Sequence, residues 1–218
     1  MNLFRFIADS LHLTAILLLL FRIRKTRNCI GLSYRTQEIF LLCFCLRYID
    51  LFIYFVSIYN TCMKILYISA TAYTIFLMRK KRPYCGTYDP AVDDFPHYLY
   101  IYPGVFVITL IIHSRFTFVD FLWSYSLWLE AVAFIPQIVV INKMKTVENI
   151  TSHYIGALGM YRFFYLLSWA YRYFMNHHIF WTQVLAGIVQ TGVYAELLYY
   201  YFKSLREGKP RMELPLKV

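Results

Sequence analysis

Charged and aromatic side chains recur at helical spacing inside stretches that are otherwise apolar. Arg5, Asp9 and His12 stand at i, i+4 and i+7, so one helical face carries all three. In IFLLCFCLRYIDLFIYF, Arg47, Asp50 and Tyr54 repeat the pattern. Asp120, Trp123 and Glu130 share a face of a later stretch, and Tyr161, Tyr165, Trp169 and Arg172 recur at i, i+4, i+8 and i+11. A charge at mid-membrane costs on the order of 2.5–3.5 kcal/mol, so such residues face a cavity and a partner. Guanidinium groups pair carboxylates in bidentate fashion and keep their charge at any relevant pH. Arg5, Arg47 and Arg172 converging on one outward-opening cavity would therefore suit a ligand with several carboxylates. Asp50, Asp120 and Trp123 offer a place for one cationic group by ion pairing and cation–π contact.

The elements that must position these groups are membrane helices. The chain has 218 residues, 60% of them hydrophobic and 20% aromatic, with only 8 glycines, a composition that points to lipid. A span needs about 20 mostly apolar residues. Seven stretches qualify, at roughly 3–22, 37–57, 61–79, 97–114, 117–141, 150–175 and 179–203. The expected fold is all-α and integral to the membrane, with one domain over 1–203 and a tail over 204–218. The first stretch has no small-residue cleavage pattern after it and reads as a retained span. The tract YCGTYDPAVDDFP is loop-like and divides three spans from four, which suggests two three-helix bundles joined by a central helix.

A net charge of +10 raises nucleic acid as a partner, but the basic residues follow membrane topology instead. Sixteen of the twenty-two fall on alternate connections and the tail: Arg22, Arg24, Lys25, Arg27 and Arg35; Arg79 to Arg82; Lys143 and Lys145; Lys203, Arg206, Lys209, Arg211 and Lys217. The opposite loops carry only Arg115, so the N-terminus is expected outside and the C-terminus in the cytosol. Of the basic residues inside spans, Lys64 and Arg162 fit a snorkelling side chain as well as any other reading, and Arg162 is retained as a candidate ligand contact. The sequon at Asn149 falls on a cytosolic connection and should be unglycosylated. The five cysteines have no metal-type spacing and suit small apolar fillers. No nucleophile elbow, P-loop or metalloprotease motif is present, so neither an enzyme nor a cofactor is expected.

His12 lies about 10 Å along the helix from Arg5, at ~1.5 Å per residue, and histidine titrates within the pH range of secretory compartments. Glu130 and Tyr161 stand at similar depth on their own stripes. The expectation is a switch in which protonated His12 rearranges a hydrogen-bond network containing Glu130 and Tyr161, so that binding strengthens as pH falls. Two other readings are open: a transporter of a small anionic solute, and a structural membrane protein in which pairs such as Arg47 with Asp50 lock helices together.

Long strings then carry a resemblance: MNLFR, LRYIDLF with its sequel YNTCMKI, LWSYSLWLEAVAFIPQ, and ITSHYIGALGMYRFFYLLSWAYR. Over about residues 1–202 the chain closely resembles the KDEL receptor family. The resemblance implies a SWEET-like seven-helix fold, and IPQ at 135–137 looks like the proline–glutamine feature of PQ-loop transporters. It implies ligand contacts at Arg5, Arg47, Tyr48, Asp50, Asp120, Trp123, Tyr165, Trp169 and Arg172. By the same resemblance Arg47 would take the terminal carboxylate of a Lys/His-Asp-Glu-Leu tail, Arg5 its glutamate and Arg172 its aspartate. Asp120 and Trp123 would meet its first residue. His12, Glu130 and Tyr161 match the family's pH-sensing group, and Glu196 matches a carboxylate implicated in recycling. The implied function is pH-dependent return of escaped proteins from the Golgi to the ER. The implied partners are those proteins, membrane lipid and the COPI coat, the last through Lys203, Arg206, Lys209 and Arg211. The chain departs from the family pattern at Ser168, where many members carry asparagine, at Asp120, usually glutamate, and over 176–181, which lacks an acidic residue.

Overall fold

The computed structural model describes residues 2–52, 55–114, 117–175, 177–209 and 211–214. Tyr54, Arg115 and Lys217 lie outside the described residues. Eight α-helices dominate what is described: α1 (Leu3–Thr26), α2 (Tyr34–Arg47), α3 (Ile58–Arg79), α4 (His97–Ile111), α5 (Phe118–Val132), α6 (Ile135–Met144), α7 (Asn149–Phe174) and α8 (Trp181–Arg206). Polar side chains set the entries of four. Asn2 caps α1 by accepting from the Arg5 amide, and Ser33, Ser57 and Thr117 cap α2, α3 and α5 in the same way. Three segments are long and apolar enough to cross a membrane: Leu3–Thr26, Ile58–Arg79 and Phe118–Met144; His97–Ile111 is apolar but shorter.

Helix α7 is the central packing element, lying against α1 on one side and α8 on the other. Helix α5 packs on α2, α4 and α8, while α3 packs on α2 and α1. The α7–α8 crossing is close because of Gly187: a Cβ there would stand 2.5 Å from the Trp169 ring. Among the described residues the sole sheet is a two-stranded antiparallel ribbon, in which β1 (Thr146–Glu148) pairs with β2 (Arg211–Glu213), placing Glu148 opposite Arg211. Met212 and Leu214 are buried, so the described part of the C-terminal segment folds back onto the helices.

Two expected spans are broken, each for a local reason. The second ends at Arg47: Tyr48 leaves helical geometry at φ −102°, ψ 23°, and a 3-10 turn follows over Ile49–Phe52. Continuing the helix would carry Asp50 along the wall of α2, whereas the turn swings its carboxylate 2.6 Å from Lys64 on α3. The fifth breaks between α5 and α6, because Pro136 has no N–H to give the carbonyl four residues back. The released Gln137 amide donates instead to the Thr36 hydroxyl (3.0 Å). Its side chain accepts from the Ser33 amide and donates to the Gly31 carbonyl, both at 2.8 Å, fully buried. The proline–glutamine pair thus stitches α6 to the start of α2.

The loop-like tract over 84–96 is ordered around Asp93, which is 1% exposed and accepts from the Ser33 and Tyr88 hydroxyls. Arg22, expected as a solvated loop charge, is instead 2% exposed inside α1. It donates to Glu148 and to the Asn28 and Ile30 carbonyls, so α1 extends a turn past the expected end at 22. Cys29 and Cys43 are buried fillers, whereas Cys45 and Cys62 are exposed. Burial pushes the Cys29 thiol up to about 11, against the lowering influence of nearby Arg22.

Candidate ligand-binding site

One cavity of about 680 Å3 collects the charged stripes, within the ~300–1,000 Å3 typical of ligand pockets. Arg5, Asp9 and His12 come from α1, Arg47 from the end of α2, Tyr48 and Asp50 from the turn after it, and Lys64 and Tyr67 from α3. Asp120, Trp123 and Glu130 come from α5, Arg162, Tyr165, Ser168, Trp169 and Arg172 from α7, and Phe180 and Gln183 from the start of α8. All ten candidate ligand contacts therefore line a single space, joined by His12 and Glu130. Tyr161 stands just behind the wall, fully buried.

Pairing inside the cavity differs from the pattern expected from spacing. Arg47 does not face Asp50; it binds Glu130, and also donates to the Ser126 hydroxyl (3.2 Å) and carbonyl (2.9 Å). The broken helix is the reason, since Asp50 turns away to Lys64. Arg162 and Lys64 do not snorkel. Arg162 is 5% exposed and its Nη2 lies 2.8 Å from Glu130, with the guanidinium 5.1 Å over the Tyr161 ring. Glu130, 1% exposed, thus holds two guanidiniums and accepts from the Tyr161 hydroxyl at 2.8 Å. Four carboxylates, of Asp9, Asp50, Asp120 and Glu130, also line the cavity.

The remaining charges have looser partners. Asp9 accepts from the hydroxyls of Tyr59 (3.2 Å) and Tyr165, with Arg5 at 3.9 Å. Among the described lining residues, Arg172 and Asp120 are the two charges with no ion-pair partner. Arg172 donates to the His178 carbonyl (2.8 Å), and Asp120 accepts from the Thr117 hydroxyl (2.6 Å). The Arg162 Nε is buried with no acceptor among the described residues. Trp123 meets Phe180 edge to face at 5.5 Å beside Asp120, and Tyr165 stacks on Trp169 at 5.8 Å.

His12 is 5% exposed and stacks face to face on Tyr161, with centroids 4.2 Å apart and planes 7° apart. A charge gained on that ring would sit one aromatic ring from the Glu130 cluster. Ser168 donates to the Asn2 side chain (2.9 Å), and that same oxygen caps α1 at Arg5. It therefore fixes where Arg5 stands. Glu196 is exposed on α8, outside the cavity lining. Lys203, Arg206, Lys209 and Arg211 are exposed at the opposite end, with Lys209 between Glu207 (3.1 Å) and Glu213 (3.3 Å).

Spacing placed Asp9 on the Arg5 face but carried no signal for its ring of tyrosines. Phe180 and Gln183 carried none, because their place depends on how α8 begins relative to α5.

Fold and site together define a helical membrane protein with a charged cavity assembled from six helices and the turn after α2. Comparison with known proteins assigns the family: residues 28–172 match the ER lumen protein retaining receptor family. Named relatives extend over nearly the whole chain. An ER lumen protein-retaining receptor of Plasmodium falciparum is 45% identical over 99% of this chain and 98% of its own length. Receptor B of Arabidopsis thaliana is 41% identical, and the Drosophila melanogaster receptor 40%, each over 99% of this chain and all of its own length. The chain belongs to the ER lumen protein-retaining receptor family, a family of receptors and not of enzymes.

Proposed function

We propose that the protein binds the C-terminal Lys/His-Asp-Glu-Leu tetrapeptide of ER lumenal proteins and returns them from the Golgi to the ER. The observation that carries this reading is the convergence of Arg5, Arg47 and Arg172 on one cavity, with Asp120 and Trp123 on its wall. A guanidinium has five N–H donors, and the bonds of Arg47 within the protein use three of them. Two remain for a terminal carboxylate. Arg5, half exposed beside Asp9, and Arg172, without a carboxylate partner among the described residues, supply sites for two acidic side chains. Asp120 with Trp123 suits the ligand's first residue. Tyr48, Asp50, Tyr165 and Trp169 shape the walls, and Arg162 offers its unpartnered Nε.

Protonation of His12 supplies the coupling. Its ring lies against Tyr161, which donates to Glu130, which in turn holds Arg47 and Arg162. If the ligand-bound state is the one that favours charged His12, affinity rises as pH falls, and reciprocally the ligand favours proton uptake. A tenfold change in affinity needs only about 1.4 kcal/mol. The protein would then load in the acidic Golgi and release at the near-neutral pH of the ER.

The reading carries a topology of seven crossings in a SWEET-like arrangement, with α5 and α6 forming one broken crossing, the N-terminus lumenal and the C-terminus cytosolic. Lys203, Arg206, Lys209 and Arg211 would then face the COPI coat, with Glu196 acting in recycling. The test is binding of a labelled peptide ending in His-Asp-Glu-Leu to the purified protein, at about pH 5.5 and about pH 7.2, either side of the ordinary histidine value. Tight binding at the lower pH, lost on C-terminal amidation and in Arg47→Ala, is expected. Indifference to amidation would remove the role given to Arg47.

A further inference from the structure

A second pocket, of about 140 Å3, lies at the other end of the bundle, between Arg22 near the end of α1, the loop after it, the end of α6, the start of α7 and the ribbon. Thr151, which lines this pocket, and Arg172, in the large cavity, are twenty-one residues apart on α7, or about 32 Å at ~1.5 Å per residue. Four features of the pocket converge. Helix α7 begins at Glu148 with no side-chain cap, so its first-turn amides and the positive end of a 26-residue helix are free to meet an anion. Thr151 is 4% exposed, and its hydroxyl has no hydrogen-bond partner among the described residues. Arg211, from β2, reaches the same pocket, is exposed, and has no ion-pair partner among the described residues. Arg22 lies beneath, and its Nη2 and Nε, 3.0 and 3.1 Å from Glu148 Oε2, neutralise the one carboxylate in the lining.

We propose that this pocket binds a phosphate group. Arg22 and Arg211 against Glu148 leave one net positive charge, to which the helix terminus adds. The start of α7, a hydroxyl donor and a guanidinium line one small space, a donor set that suits a tetrahedral oxyanion with several acceptors. The volume is well below the ~300–1,000 Å3 of drug-sized pockets, so the group enters alone and whatever carries it stays at the rim. Two carriers share this chemistry, a phosphoinositide headgroup in the bilayer and a soluble phosphate ester. In either case the group would bridge Arg211 of β2 to the start of α7, holding the ribbon closed.

The experiment uses the full chain in lipid nanodiscs and follows thermal unfolding in rising inorganic phosphate against chloride of matched ionic strength. Nanodiscs with and without a phosphatidylinositol phosphate form the second arm. Wild type should show a saturable upward shift in Tm with phosphate, with the phosphoinositide, or with both. Thr151→Val and Arg211→Gln should each weaken the response at least tenfold while leaving the phosphate-free Tm near wild type. Amide exchange at residues 211–213 should slow on binding in wild type and not in Arg211→Gln. A response to the lipid alone assigns a headgroup, and a response to free phosphate that the lipid does not increase assigns a soluble ester. Identical shifts with phosphate and chloride and none with the lipid, or variants that titrate as wild type does, would overturn the proposal.

Discussion

Glu130 is the residue on which the cavity's electrostatics turn. At 1% exposure it compensates Arg47 and Arg162 and receives the Tyr161 hydroxyl. Glu130→Gln keeps the shape but leaves two guanidiniums facing each other without an anion. Breaking a buried pair by removing one partner costs about 3–5 kcal/mol, so the variant should unfold at clearly lower temperature and lose the pH dependence of peptide binding. Thermal unfolding and binding at two pH values read both effects. A Glu130→Gln protein with wild-type stability and an unchanged pH profile would show that the cluster is neither brace nor relay.

At the scale of elements, two close fits position the site. Gly187 lets α8 lie against Trp169, where an added Cβ would stand 2.5 Å from the ring. Gly192, on the same helix, has open space around its Cα hydrogen. Gly187→Ala should displace Trp169 and weaken peptide binding about tenfold, equivalent to about 1.4 kcal/mol, whereas Gly192→Ala should leave affinity unchanged. Equal effects in the two variants would mean that the α7–α8 spacing does not set the aromatic wall. The second fit is Gln137, whose buried amide satisfies the Ser33 N–H and the Gly31 carbonyl. Gln137→Leu strands both groups at about 1–3 kcal/mol each, so it should lower stability without removing any cavity residue. Its Tm, with peptide affinity measured below that temperature, separates the two.

For the whole molecule, the proposed pH sensitivity would be a property of the assembly. His12, Tyr161, Glu130 and the two arginines come from α1, α7, α5 and the end of α2, and only their packing would let one titration be felt by all. Peptide affinity should rise from about pH 7.2 to about pH 5.5 in wild type, and His12→Phe, which keeps a ring against Tyr161, should flatten that profile. A His12→Phe protein with the full pH response would place the titrating group elsewhere.

What the sequence determined by itself was membership and location: a chain this apolar is a membrane protein, and charges inside it must face a cavity, because lipid penalises an unpaired charge so heavily. That reasoning, with long family-specific strings, points to ten residues that all line one cavity. Partnership was decided only by the tertiary structure. Spacing paired Arg47 with Asp50 because it assumes an unbroken helix, and the 3-10 turn after Arg47 sends one to Glu130 and the other to Lys64. Arg22 looked like a solvated loop charge and Arg162 like a snorkelling side chain, yet both are buried, the first against Glu148 more than a hundred residues away and the second against Glu130 of α5. Helical periodicity states which residues share a face of one helix. Which face meets which is settled by rotation and register between helices, set by contacts such as Gly187 on Trp169 and Gln137 on the start of α2, and no single stretch of sequence contains that information.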